Sequence, residues 1–108
     1  MIQLTVLYGQ PQDGAAFDRY YQGTHVALVK KIPGLKGFVI TKPVALDARE
    51  PSPYYVIANL YFENMATFQS ALQSPEGQAA AGDLQHFATG GAILVVGEVR
   101  AISPVSIS

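Results

Sequence analysis

Cysteine is absent from all 108 residues, which excludes disulfide staples, thiolate metal sites and cysteine nucleophiles together. Charge is scarce: Asp, Glu, Lys and Arg make up 14% of the chain, against about 25% in an ordinary soluble domain. The net charge is −1 and the basic residues are dispersed, so no footprint for nucleic acid is present. No apolar run approaches the roughly 20 residues of a membrane span, and no charged-then-apolar leader precedes the first strand. A cytoplasmic protein without membrane contact is expected. Gly9, Gly90 and Gly91 lack the spacing of a phosphate-binding loop. His25 and His86 lie far apart with no His-x-x-x-His pair, so no metal site is expected. No motif supports a nucleophilic serine.

What remains is apolar. Hydrophobic residues reach 49% in a chain of 108 residues, enough for one domain over residues 1–108 with a single core. So little charge on so small a chain points to surface hidden by a second copy.

The stretch from Asp13 to Leu35 organises the rest. Phe17, Tyr21, Thr24, His25, Leu28 and Ile32 recur at steps of three and four, which places them on one side of a helix of about five turns. Asp13 is its expected N-cap and Pro33-Gly34 its stop, with Lys30-Lys31 complementing the dipole at the C-terminal end. A histidine is thereby threaded into an apolar stripe.

Strands are expected at Ile2–Tyr8, Leu35–Pro43, Tyr54–Glu63 and Ala92–Ala101, each a β-branched or aromatic run bounded by turn residues. In the third, Tyr54, Val56, Ala58, Leu60 and Phe62 alternate with Tyr55, Ile57, Asn59, Tyr61 and Glu63. The Pro-, Asp- and Ser-rich segment 44–53 reads as a surface loop. Two helices are expected between the last strands. Met65–Gln73 is capped by Asn64 and buries Met65, Phe68 and Leu72; the other starts at Ser74-Pro75-Glu76, runs towards Phe87 and has a candidate break at Gly82. The tail from Ile102 to Ser108 has little pattern.

The order β α β β α β gives an α+β, ferredoxin-like fold, a four-stranded antiparallel sheet with helices on one face. Strands three and four are apolar on both sides, so the uncovered face calls for a homodimer that packs sheet against sheet. An interface of usual size, about 800 Å² per partner, is ample for that. A monomer with an apolar exposed face is the alternative.

Several short runs occur in a telling order: Tyr8-Gly9-Gln10-Pro11 with Asp13, then Phe17, Tyr20-Tyr21, His25 and Ile32-Pro33-Gly34-Leu35, and later Ser74-Pro75-Glu76-Gly77-Gln78 with Asp83-Leu84. In this the chain resembles the EthD family of the dimeric α+β barrel superfamily. The resemblance implies a dimeric α+β barrel and links to ether degradation or to polyketide and lactone chemistry. It implies a cleft between the first helix and the sheet into which His25 would look. Because some members of the wider superfamily bind haem, it also leaves haem at His25 open, though the sequence carries no sign of it and no cofactor is expected.

His25 is the leading catalytic candidate. Imidazole exchanges a proton near neutral pH, and apolar surroundings favour its neutral, basic form. The alternative is a core histidine satisfied by a tyrosine or a carbonyl. Tyr21, one turn earlier, could orient the ring or donate to a substrate carbonyl; otherwise it is a core aromatic. Tyr8, Phe38, Tyr61 and Phe87 could line a cavity or simply fill the core. Asn59, like Thr41, could bond a ligand from a strand or mark a wetter edge. Asp83 and His86, late in the last helix, read as part of a lid or of a solvated face.

Three functions are compatible with these residues. The first is a cofactor-independent enzyme of proton-transfer, isomerase or oxygenase type acting on an apolar carbonyl, lactone or quinone-like metabolite. The second is a non-catalytic binding or accessory protein of an oxygenase or degradation pathway. The third is a structural dimer with a filled core.

Overall fold

The computed structural model describes residues 1–103; the rest of the expected tail, 104–108, lies outside the described residues. Four strands form one antiparallel sheet: β1 (Ile2–Gly9), β2 (Leu35–Thr41), β3 (Tyr54–Phe62) and β4 (Ala92–Glu98), in the order β2-β3-β1-β4. This is the ferredoxin-like arrangement. The first strand lies inside the sheet, between β3 and β4, so Leu4 faces Leu60 on one side and Val96 on the other.

Alternation builds the core directly. Ile2, Leu4, Val6 and Tyr8 of β1 and Val56, Ala58, Leu60 and Phe62 of β3 are all buried beneath the helices. Gln3, Thr5, Leu7, Ile57, Asn59 and Tyr61 take the opposite face and are half-buried.

A bulge breaks this alternation at one point. The register of β1 and β3 passes from Tyr8 opposite Val56 to Gly9 opposite Tyr54, leaving Tyr55 without an opposite residue. Tyr55 turns to the helix side, 5.2 Å edge-on to Phe17, and its hydroxyl donates to the Asp18 carboxylate at 3.1 Å. Simple period-two reading had placed it on the other face with Ile57.

The long first helix is three segments: α1 (Gly14–Tyr20), a π turn (Tyr21–His25) and α2 (Val26–Lys30). Asp13 caps α1, accepting from the Ala16 amide at 3.1 Å. In the π turn the Val26 amide reaches back five residues to the Tyr21 carbonyl. Residues four apart on an α-helix drift by about 40° at each step, because a turn holds about 3.6 residues. The wide turn takes out part of that drift and keeps Phe17, Tyr21, His25 and Val29 on one buried line. The expected stripe changes accordingly. Thr24 is exposed, Leu28 is half-buried and Val29 takes the core position.

Gly34 ends the segment with φ of +80°, a conformation that suits glycine. The β2 strand, bulged at Lys36, then presents Phe38 to the helix side opposite Leu60.

Next come α3 (Met65–Gln73) and α4 (Pro75–Asp83), capped by Asn64 and Ser74 as the sequence indicates. Phe68 and Ala71 form the buried face of α3, whereas Met65 is 42% and Leu72 43% exposed, contrary to the expectation that both are buried. The two helices approach so closely that a β-carbon on Gly77 would stand 2.0 Å from the Ala71 carbonyl oxygen. No break occurs at Gly82; α4 continues to Asp83 and tightens into a 3-10 turn at Leu84–His86.

The helices do not cover the sheet edge. On β4, Ile93, Leu94, Val95 and Val96 are each 40 to 53% exposed, so both faces of this strand are open. Among the described residues no helix is long and apolar enough to cross a membrane.

Candidate active site

The buried line on the first helical segment meets a second buried line on α4. Gly77, Ala80, Asp83 and Phe87 are all buried, spaced by three and four residues. Each line carries one polar residue, and the two polar residues face each other. The His25 Nδ1 lies 3.0 Å from Asp83 Oδ2, with His25 3% and Asp83 7% exposed. Asp83 Oδ1 accepts from the Tyr20 hydroxyl at 2.6 Å, and the Tyr8 hydroxyl stands 3.4 Å from His25 Nε2.

Burial alone would raise the Asp83 pKa, but the hydrogen bonds from Tyr20 and His25 and the nearby His86 outweigh it and hold the carboxyl below its ordinary 3.8. Asp83 is therefore ionised at neutral pH and can only accept. That assigns the proton to Nδ1 of His25 and leaves Nε2 unprotonated, an acceptor facing the Tyr8 hydroxyl. Burial lowers the His25 pKa below 6.5 despite the opposing pull of Asp83, so the ring is neutral at pH 7. Burial also raises Tyr8 far above its normal range and pushes Tyr21 up to about 12. Both phenols stay protonated and serve as donors.

Aromatic packing fixes these groups. The Phe87 ring lies 4.6 Å from the His25 ring and 5.4 Å from Tyr20, with which it stacks. Tyr8 is edge-on to Phe17 at 5.5 Å and to Tyr21 at 5.6 Å. The Tyr21 hydroxyl is buried and makes no hydrogen bond of good geometry among the described residues; the neighbouring Tyr8 hydroxyl, close enough to influence its pKa, also faces His25.

Beside this cluster lies a cavity of about 70 Å³ between the sheet, α2, α3 and α4. Tyr8, Tyr21 and His25 supply its polar end; Val6, Phe38, Leu60 and Phe68 are among its apolar walls. The exposed side chains of Leu72, Ala81 and Leu94 form its mouth.

The residues singled out from sequence separate into two groups. Tyr8, Tyr21, His25 and Phe38 come together at the cavity, and Phe87 backs His25 without lining it. Asn59 and Tyr61 are on the opposite sheet face, where Asn59 accepts from the Thr5 hydroxyl at 2.7 Å and Tyr61 packs beside Gly37. Strand alternation separates them from His25, because Ala58 and Leu60 already point to the helices. Thr41 is exposed at the end of β2, and His86 is exposed.

Asp83 is the partner that sequence reading misplaced, and Tyr20 the one it passed over. A signal for Asp83 was present: it belongs to the same stripe as Ala80 and Phe87, just as His25 belongs to the stripe of Tyr21.

A haem at His25 does not fit this arrangement. Nδ1 is committed to Asp83, Nε2 faces Tyr8, and a cavity of about 70 Å³ has no room for a porphyrin. No group of three or more metal-binding side chains exists among the described residues.

Comparison with known proteins places this architecture. The EthD domain matches residues 9–91, which include His25, Asp83 and every other polar group of the cluster except Tyr8. An uncharacterized 11.0 kDa protein in the thcB-thcC intergenic region of Rhodococcus erythropolis is 42% identical over 104 residues, 96% of this chain and 100% of that one. The crystal structure of an ethyl tert-butyl ether degradation (EthD) family protein from Bacillus halodurans superposes with a TM-score of 0.86 at 35% identity, covering 93% of this chain and 99% of that one. Two more distant structures share the fold. One is a dimeric ferredoxin-like protein of unknown function from Thermobifida fusca, with a TM-score of 0.68 at 15% identity over 91% of this chain and 90% of that one. The other is SnoaB, a cofactor-independent oxygenase from Streptomyces nogalater, with a TM-score of 0.68 at 15% identity over 96% and 97%. The match over residues 9–91, together with these two relatives above 30% identity, makes the chain a member of the EthD family.

Proposed function

We propose that the chain is a cofactor-independent enzyme that moves a proton on an apolar carbonyl compound, with His25 as the base. The observation that carries this reading is the Asp83 carboxylate at 3.0 Å from Nδ1 of a buried His25 that lines an apolar cavity. A base needs a fixed tautomer, which a carboxylate partner supplies, and an unprotonated second nitrogen, which here meets the Tyr8 hydroxyl at a long 3.4 Å and is released when that hydroxyl turns aside.

In the reaction, Nε2 takes a proton from the carbon next to the substrate carbonyl. The C–H electron pair moves into the new carbon–carbon double bond, and charge develops on the carbonyl oxygen. Tyr21 donates to that oxygen, and Asp83 steadies the imidazolium. Return of the proton to the same carbon gives exchange; in a substrate with a β,γ double bond, return to the γ-carbon, with that double bond moving into conjugation and the carbonyl re-forming, completes an isomerisation. A positioned base contributes about 10²- to 10⁴-fold. SnoaB lends support in that a protein of this fold carries out chemistry without a cofactor.

The working unit is proposed to be a homodimer joined through the open sheet face. Leu7, Ile57 and Tyr61 are half-buried there, and Ile93 and Val95 are 53% and 52% exposed; these apolar side chains share the face with Gln3, Thr5 and Asn59. The dimeric ferredoxin-like relative fold supports it.

The test is deuterium uptake. A panel of ketones, lactones and quinones is incubated in D₂O with wild type and with His25→Ala, and exchange at carbons next to the carbonyl is followed by NMR. Exchange catalysed by wild type and lost in the variant, with ligand affinity retained, is the expected result. Ligand binding without exchange in either protein makes the chain a carrier instead.

A further inference from the structure

The Tyr21 hydroxyl is the one buried side-chain polar atom among the described residues that makes no hydrogen bond of good geometry, its neighbour the Tyr8 hydroxyl being poorly placed for one, and Tyr21 lines the cavity at 3% exposure. A buried donor left unmade is costly, so such an atom points to a group that completes it. Its ring is 5.4 Å from that of His25, at the polar end of the cavity.

The remainder of the wall limits what that group can be. None of the lining residues is Lys or Arg, and the nearest full charge is the Asp83 carboxylate behind His25. A carboxylate or phosphate here would be stripped of water, without a counter-charge and close to a like charge. A carbonyl oxygen meets a waiting donor and brings no charge. Size limits the ligand further: a cavity of about 150 Å³ is of the kind that takes benzene, whereas this one has about 70 Å³. Leu72 and Leu94 at the mouth, 43% and 49% exposed, favour an apolar remainder.

We propose that the cavity takes the slender head of an uncharged, acyclic carbonyl compound, oxygen inward on the Tyr21 hydroxyl, with its apolar tail leaving between Leu72, Ala81 and Leu94. This rests on the proton-transfer reading of the same site and specifies its substrate class: neutral rather than acidic, and chain-like at the reacting end rather than a ring.

Binding of 2-hexanone, hexanoate and cyclohexanone at pH 7 tests it, measured by ligand-observed NMR titration on wild type and Tyr21→Phe. The expected result is saturable binding of 2-hexanone at least tenfold tighter than either of the other two, and about tenfold weaker in Tyr21→Phe. The variant keeps the ring, and its melting temperature, measured alongside, is expected at or above that of wild type. Absence of 2-hexanone binding, hexanoate or cyclohexanone binding equal to or tighter than 2-hexanone, or unchanged affinity in the folded variant would each overturn the proposal. The titration reads no turnover. Selective ketone binding without deuterium exchange therefore sinks the enzymatic reading alone, and exchange on rings or acids sinks the substrate class alone.

Discussion

Asp83 and His25, 58 residues apart in the chain, meet at 3.0 Å because two buried helical lines converge over the same strand. The carboxylate does three things at once: it holds the Nδ1 proton, leaves Nε2 as the unprotonated nitrogen facing Tyr8, and gives the Tyr20 hydroxyl an acceptor. Its removal is expected to cost stability and the proposed activity together.

Asp83→Ala is expected to lower stability by about 2 to 3 kcal/mol, since it leaves two donors, one of them on a buried ring, without an acceptor. Asp83→Asn, which keeps one acceptor oxygen, is expected to lose less stability while losing most of the catalysis, because the amide cannot balance the imidazolium. Urea unfolding and deuterium exchange, run on both variants, separate the two effects.

The pH dependence has a fixed sign. The His25 pKa is lowered from 6.5 by burial, so below 6.5 the unfolded chain binds more protons than the folded one, and stability falls as pH falls. Asp83, held below 3.8, contributes stability above 3.8 that is lost as pH falls through its folded value. Melting temperature should therefore decline from about pH 6.5 downward, where the unfolded histidine titrates, with a second loss at lower pH. His25→Gln should flatten the first decline and weaken the second, because part of what holds Asp83 low comes from His25. A melting curve that is flat from pH 7 to 5 in wild type contradicts the assignment.

Tyr21→Phe separates stability from function. Removing a buried hydroxyl with no partner is expected to leave stability unchanged or raise it by up to about 1 kcal/mol, while turnover falls. A residue kept for packing alone would show the same stability without the fall in turnover.

At the π turn, Gly23 has open space where a β-carbon would stand. Gly23→Ala is expected to stabilise the chain by about 0.5 to 1 kcal/mol through helix propensity. Deleting Gly23 closes the wide turn, takes either Tyr21 or His25 off the buried line, and is expected to abolish cooperative unfolding. Differential scanning calorimetry distinguishes the two.

For the sheet face, Val95→Glu places a charge at a site 52% exposed in one chain. Sedimentation equilibrium is expected to show a dimer for wild type and a shift to monomer for the variant, with the monomer's helix content unchanged. A wild-type monomer, or a variant that dimerises as well as wild type, contradicts the proposed interface.

Local physics explains what the sequence made legible. Strand alternation, the caps at Asp13, Asn64 and Ser74, and the Pro33-Gly34 stop are written in neighbouring residues, and the structure has each of them where expected. The errors arise where an extra residue shifts a period. The bulge at Tyr55 and the π turn at 21–25 each change which side chains share a face, and neither has a marker in composition. Site residues followed the same rule. His25 is visible as a polar residue on an apolar stripe, while Asp83, equally so on α4, reads as part of a lid or of a solvated face, because a charged residue late in a helix most often faces water. Asn59 and Tyr61 were grouped with His25 by chemistry, although alternation about Leu60 places them across the sheet.

One protonation state underlies the proposed chemistry: a neutral His25 with its proton on Nδ1 and none on Nε2. Long-range ¹H–¹⁵N correlation spectra of His25, followed from pH 8 to pH 4 in wild type and Asp83→Asn, read it directly. The expected result at pH 7 is a protonated Nδ1 and an unprotonated Nε2, with titration below 6.5 and a change of tautomer or midpoint in the variant. An imidazolium at pH 7, or a proton resident on Nε2, would contradict the assignment of His25 as the base.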